Sequence, residues 1–147
     1  MIKLDISHLS WQLNKSFNIS RGSKNTAETI EVKLTENKFT GIGECVPYGR
    51  YNETLESVQK EILELKDGIE NLEINKKNLD QFINNGAARN AIDCALWDLE
   101  SKKKKETVWS MLDIQKPQEI PSSYTVVLND PDKMIEDIYS HREFPTI

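Results

Sequence analysis

Apolar residues stand at Ile2, Leu4 and Ile6 and then, one position out of phase, at Leu9, Trp11 and Leu13. Period two marks a strand with one covered face, and the phase change predicts a bulge near Ser7 and His8. Ile30, Val32 and Leu34 alternate with Glu31 and Lys33, and after a polar turn at 36–38 a further run covers 39–45. Two such runs joined by a short turn predict an antiparallel hairpin. Between the first strand and this hairpin, residues 16–26 are too polar to pack as a core element. They are expected to form a surface loop whose tip carries Arg21 and Lys24.

The period then lengthens. Leu55, Val58, Ile62 and Leu65 recur at three- and four-residue steps, with Asn52 placed as N-cap and Glu53 in the first turn. A short helix is expected over 75–83. Gly86 opens a longer one, with Ala88, Ala91, Ile92, Ala95, Leu96 and Leu99 on one face and Arg89, Asn90, Asp93 and Asp98 on the other. Alanines on the apolar face permit close approach of another element, and Lys102 to Lys105 complement the negative helix end. An apolar turn at 108–112 and breakers at Pro117 and Pro121 precede the continuous β-branched run 124–128, which suits a parallel strand buried on both faces. Asp130 as N-cap and Pro131 at N1 start a last helix carrying Met134, Ile135 and Ile138. The pattern is α+β: an antiparallel sheet followed by helices over 1–116, then one parallel-type strand and helix over 117–147.

A length of 147 residues accommodates one domain of ordinary size, ~100–150 residues, and excludes a complete eight-fold β/α barrel, which needs roughly 250. Nineteen Lys and Arg against 24 Asp and Glu leave a net charge of −5, which repels a nucleic-acid backbone. No run approaches the ~18 apolar residues of a membrane span and no export signal is visible, so neither nucleic acid nor membrane is an expected partner. Cys45 and Cys94 have no CxxC spacing, which reads as two reduced, buried small residues of a cytoplasmic protein. His8 and His141 are isolated, and no metal-ligand spacing or phosphate loop occurs. Gly43 reads as a site of close backbone packing.

Three features admit both a functional and a plain reading. Arg21 and Lys24 could clamp a carboxylate or be solvated charges. Residues 47–51, with Tyr48, Arg50 and Tyr51, suit a recognition loop or a packed turn. Thr125 could offer its hydroxyl to a ligand or simply favour a strand.

Residues 17–24 (FNISRGSK), 41–51 (GIGECVPYGRY) with Glu53 and Thr54, 86–98 (GAARNAIDCALWD) and 124–127 (YTVV) with Pro131 and Met134 closely resemble the dipeptide epimerases. These are the L-Ala-D/L-Glu epimerase group of the enolase superfamily, in its muconate lactonizing branch. The resemblance implies an enolase-like N-terminal capping domain followed by the first β/α unit of a (β/α)₇β barrel. It implies that the loops around Arg21 and Lys24 and around Tyr48, Arg50 and Tyr51 select an acidic dipeptide of the Ala-Glu type, and that Thr125 contacts the dipeptide backbone. The implied reaction is a 1,1-proton transfer between two lysines, with Mg²⁺ held by three carboxylates. None of those lysines and carboxylates has a counterpart here, and residues 144–147 look like the lead-in to the strand that would carry the first lysine. The chain is therefore expected to be a truncated N-terminal part that is catalytically silent by itself, binds no metal, and self-associates through its incomplete barrel. A stand-alone capping domain reused for binding or assembly is the alternative.

Overall fold

The computed structural model describes residues 1–20 and 22–146. One sheet is ordered β1 (Lys3–Ile19), β2 (Gly22–Glu36), β3 (Phe39–Cys45). β2 and β3 pair antiparallel from Ile30 opposite Cys45 to Glu36 opposite Phe39. Asn37 takes the left-handed conformation in the turn, φ 55°, which asparagine tolerates. Ile2, just before β1, and Leu4 are buried, whereas along the second half Leu9 and Leu13 are only half-buried and Trp11, expected on their face, is 53% exposed.

Of the surface loop expected over 16–26, residues 16–19 and 22–26 are instead strand, because β1 continues to Ile19 and β2 begins at Gly22. Polar side chains bridge the two arms. Ser16 Oγ donates to Asn25 Oδ1 and Ser23 Oγ to Asn18 Oδ1, both at 2.5 Å, and Gln12 Nε2 donates to Asn25 O at 3.1 Å. Polarity predicts exposure here and not irregularity, since cross-strand hydrogen bonds sustain a pairing that buries little apolar surface.

The chain forms two compact units, one of Met1–Trp11 with Glu28–Lys116 and one of Gln12–Ala27 with Pro117–Ile147. In the first, α1 (Leu55–Glu64) is capped by Thr54 and not by Asn52. Thr54 Oγ1 accepts from Ser57 N at 3.1 Å, and Ser57 Oγ accepts from Thr54 N at 2.9 Å, a reciprocal capping box. Asn52 instead ends a 3-10 turn at Gly49–Tyr51 with φ 60°, which leaves Glu53 outside the helix. α2 (Lys66–Glu70) follows. The helix expected over 75–83 reduces to one 3-10 turn, Leu79–Gln81. Asparagines compete for its backbone: Asn78 Oδ1 accepts from Asn75 N at 2.8 Å, Asn75 Oδ1 from Lys77 N at 3.0 Å, and Asn78 Nδ2 donates to Glu73 O at 2.8 Å.

α3 (Ala87–Lys104) buries Ala88, Ala91, Ile92, Ala95, Leu96 and Leu99, the apolar face read from the sequence. It packs on β3, where a Cβ at Gly41 would overlap the Ala95 carbonyl and one at Gly43 the Ala91 carbonyl. The polar flank of α3 serves the edge strand as well. Asp98 Oδ2 accepts from Ile42 N at 2.7 Å, Lys102 Nζ donates to Thr40 O at 2.8 Å, and Asn90 Nδ2 to Glu44 O at 3.2 Å. These bonds satisfy backbone groups that an edge strand would otherwise present to solvent. Ile30, Val32, Leu34, Ile62 and Ile69 complete the buried centre of this unit, which ends in α4 (Val108–Met111).

In the second unit, α5 (Pro131–Ser140) starts as its sequence predicts, Asp130 accepting from Asp132 N at 3.1 Å. Residues 124–128 do not form the expected buried strand. Val127 is buried but Leu128 is 52% exposed. The backbone pairing here is a parallel bridge between Ser123 and Thr146 and single bonds from Tyr124 N to Thr146 O and from Leu128 N to Asn18 O, each 2.9 Å. A β-branched run becomes a strand only when neighbouring strands supply its ladder. Among the described residues no helix is long and apolar enough to cross a membrane.

Candidate functional site

The recognition-loop candidates divide between the two units. In the first, the chain leaving β3 tightens into the 49–51 turn, with Tyr51 N donating to Tyr48 O at 2.8 Å and Asn52 N to Gly49 O at 3.1 Å. This sets the Tyr48 and Tyr51 rings edge-to-face, centroids 5.8 Å apart at 64°, a favoured aromatic geometry. Both rings are exposed, as is Arg50. A cleft of about 290 Å³ beside the turn is lined by Tyr48, Tyr51, Glu53, Cys45 and Asn90.

Glu53 holds this turn in place, a role the sequence reading missed by assigning it to a helix. Its Oε2 accepts from Tyr48 N at 3.0 Å and its Oε1 from Ala87 N at 2.7 Å. One carboxylate thus closes the loop and caps α3, whose own N-cap, Gly86, brings no side chain. Negative charge at a helix N-terminus is favourable. A Cβ at Gly86 would lie 2.9 Å from Glu53 Oε1, so glycine leaves room for the carboxylate. The available signal was a glycine at the start of a long helix with no capping side chain of its own.

Cys45 is buried as expected, and burial, with Glu53 and Glu44 adding to it, pushes its thiol up to about 11. Cys94 departs from the expectation and is exposed, since it lies on the side of α3 away from the buried alanines. Its thiol is also raised, by partial burial first and Asp93 second.

The second unit holds Lys24 on β2 and Thr125 on the segment before α5. Both are exposed, and among the described residues Lys24 has no ion-pair partner. Asn18, at the far end of β1, accepts from Leu128 N at 2.9 Å, so the arm that bears Lys24 and the segment that bears Thr125 are joined within one unit. Arg21 lies outside the described residues. Among the described residues no three His, Cys, Asp or Glu side chains gather so as to hold a metal ion. The donor set of the described residues does not fit Mg²⁺.

Residues 1–113 match the family model of the mandelate racemase / muconate lactonizing enzyme N-terminal domain. The L-Ala-D/L-Glu epimerase of Escherichia coli (strain K12) is 37% identical over 125 residues, which are 85% of this chain and 39% of that protein. A solved structure from Agrobacterium tumefaciens superposes with a TM-score of 0.92 at 36% identity, covering 99% of this chain and 44% of that one. It is described as an enolase family member with homology to dipeptide epimerases, with bound sodium and L-Ala-L-Glu and an ordered loop. A dipeptide epimerase from Cytophaga hutchinsonii, complexed with Mg and D-Ala-L-Val, shares the fold at a TM-score of 0.79 and 23% identity, covering 97% of this chain and 41% of that one. This chain spans about two fifths of the length of these relatives.

Proposed function

The chain belongs to the mandelate racemase / muconate lactonizing enzyme family through its N-terminal domain, and we propose that it supplies the substrate-selecting part of an epimerase for dipeptides of the Ala-Glu type. The observation that carries this reading is the 0.92 superposition, over 99% of the chain, on a protein that holds L-Ala-L-Glu. In this reading Lys24, with Arg21, attracts the side-chain carboxylate of the dipeptide. A lysine keeps the charge of an arginine without its bidentate fork. Thr125 hydrogen-bonds the dipeptide backbone, and Tyr48, Arg50 and Tyr51 form the second recognition element. Residues 117–147 act as the first β/α unit of a barrel. The two proton transfers and the Mg²⁺ are not assigned to residues of this chain, so the chain by itself is catalytically silent. The free thiols support a reducing, cytoplasmic setting.

Titration with L-Ala-L-Glu, followed by tyrosine and tryptophan fluorescence, tests the binding role. A saturable change that Lys24→Ala weakens is expected, and no saturable change in the unsubstituted chain overturns the reading. α-Proton exchange of the dipeptide in D₂O with added Mg²⁺ tests the silent chemistry, and measurable exchange refutes it. Ile135, Ile138, Tyr139 and Leu128 are all at least 40% exposed and support self-association. A monodisperse monomer in light scattering would refute that.

A further inference from the structure

We propose that Lys15 is a positioning residue for dipeptide recognition, holding the β1–β2 arm that carries Lys24 against the segment that carries Thr125. The proposal rests on the function stated above and concerns a residue with no part in the recognition chemistry itself.

Its basis is a closed polar triangle within the second unit. Lys15 Nζ donates to Asp137 Oδ1 at 2.9 Å and to the Tyr124 hydroxyl. The Tyr124 hydroxyl in turn donates to the Asp137 carboxylate, 3.0 and 3.1 Å from its two oxygens. Each vertex lies on a different piece of chain: Lys15 on β1, Tyr124 beside Thr125, and Asp137 on α5. The triangle has an aromatic floor. The Tyr124 ring stacks on His141, centroids 3.9 Å apart and 7° from parallel, and meets Phe144 at 5.5 Å. His141 is itself fixed, its Nδ1 2.9 Å from Asp137 O. Charge raises the strength of these bonds, since a lysine and a carboxylate each strengthen a hydrogen bond relative to neutral partners. The Lys15 ammonium is held above its usual range, by Tyr124 first and Asp137 second, and the Asp137 carboxyl is held low chiefly by Lys15.

The direction of action follows from sequence distance. Three residues past Lys15, Asn18 accepts from Leu128 N at 2.9 Å, and its side chain accepts from Ser23 Oγ at 2.5 Å. Lys24 is the next residue. The arm is thus tied at Lys15 and at Asn18 to either end of the 124–128 segment, and Thr125 stands between the ties. The arm lacks apolar burial to hold it, being exposed at most of positions 12–25, so its placement depends on such polar ties. Without Lys15 the ammonium of Lys24 must be ordered at the moment of binding, at a cost in affinity.

The test compares the unsubstituted chain with Lys15→Met, Lys15→Arg and Asp137→Asn. Hydrogen exchange reads the arm, and a fluorescence titration with L-Ala-L-Glu reads affinity. Lys15→Met is expected to speed exchange across 12–27, leave exchange in α3 unchanged, and weaken dipeptide binding by about tenfold, the order of ordering one or two polar side chains on binding. Asp137→Asn should act in the same direction from the other vertex. Lys15→Arg, which keeps charge and donors, should restore both readouts, as a mere loss of packing would not. Unchanged exchange or unchanged affinity in Lys15→Met, with the unsubstituted chain still binding, overturns the positioning role and leaves the recognition function standing. Failure of the unsubstituted chain to bind overturns the recognition function, and the positioning role with it.

Discussion

Gly43 lies against Ala91 so closely that a Cβ on the glycine would overlap the Ala91 carbonyl oxygen and stand 2.8 Å from Ala95 N. The obstacle is helix backbone and not the tip of a flexible side chain, so it cannot swing away. Gly43→Ala should force β3 and α3 apart and destabilise the chain by at least the ~1–3 kcal/mol typical of overpacking. A urea denaturation series checks this. An unchanged midpoint would show that the strand and helix are not in backbone contact.

Glu53 stands at a second junction, between the 49–51 turn and α3. Glu53→Ala leaves Tyr48 N and Ala87 N without their acceptor and should cost ~1–3 kcal/mol. The loop should also loosen, exposing the bond after Arg50 to trypsin. Limited proteolysis followed by mass spectrometry reads this, and equal cleavage rates at residue 50 in the two proteins would contradict it.

The two thiols should separate in alkylation. Cys45 is buried and its thiol is pushed up to about 11, whereas Cys94 is exposed to reagent, although partial burial and Asp93 raise its thiol too. Iodoacetamide at pH 8 should label Cys94 and spare Cys45. The linkage has a definite sign. An unfolded thiol ionises near ~8.5, so between that pH and about 11 the unfolded chain has released a proton that folded Cys45 keeps, and stability falls as pH rises. Cys45→Ala should flatten that alkaline decline, as read by thermal melts from pH 8 to 11.

An acid counterpart sits on α3. Lys104 first and Lys76 second hold the Glu100 carboxyl below its usual range, at 2.7 and 2.5 Å. A depressed carboxylate contributes stability that is present above the unfolded value of ~4.3 and is lost as pH falls through the lower folded value. Glu100→Gln should therefore give a shallower loss of stability below about pH 4.3. Acid titrations followed by circular dichroism compare the two, and parallel curves would contradict the pairing.

Much of this fold was legible along the chain because its signals are local. The 30–45 hairpin follows from period two and a polar turn, and the register from Ile30 opposite Cys45 to Glu36 opposite Phe39 agrees with it. The apolar face of α3 follows from helical spacing among Ala88, Ala91, Ile92 and Ala95. Where local signals competed, reading failed. Thr54 with Ser57 outbid Asn52 as the helix start, because a reciprocal pair of bonds satisfies two backbone donors where one side chain satisfies one. The asparagines of 75–83 bonded their own backbone and dissolved a helix that spacing alone supported.

The candidate site divides in the same way. Tyr48, Arg50, Tyr51, Lys24 and Thr125 are candidates raised by the family resemblance, since residue type alone left the plain reading of each open. Glu53, Asp98 and Lys15 were not legible, because each acts on a partner 34 or more positions away: Ala87, Ile42, and the Tyr124–Asp137 pair.

What the sequence determined by itself, then, is the 30–45 hairpin, the apolar face of α3 and the start of α5, with the chemistry that exposed residues could bring. Periodicity and capping are properties of neighbours in the chain, and they hold where no competing local bond or missing strand partner overrides them. Only the tertiary structure decided that 12–27 is an arm grouped with 117–147, that 124–128 lacks the ladder of a finished strand, and that Glu53 and Lys15 are ties. Those outcomes depend on hydrogen-bond partners brought together by folding, and a backbone or carboxylate group carries no mark in sequence of the partner it will meet.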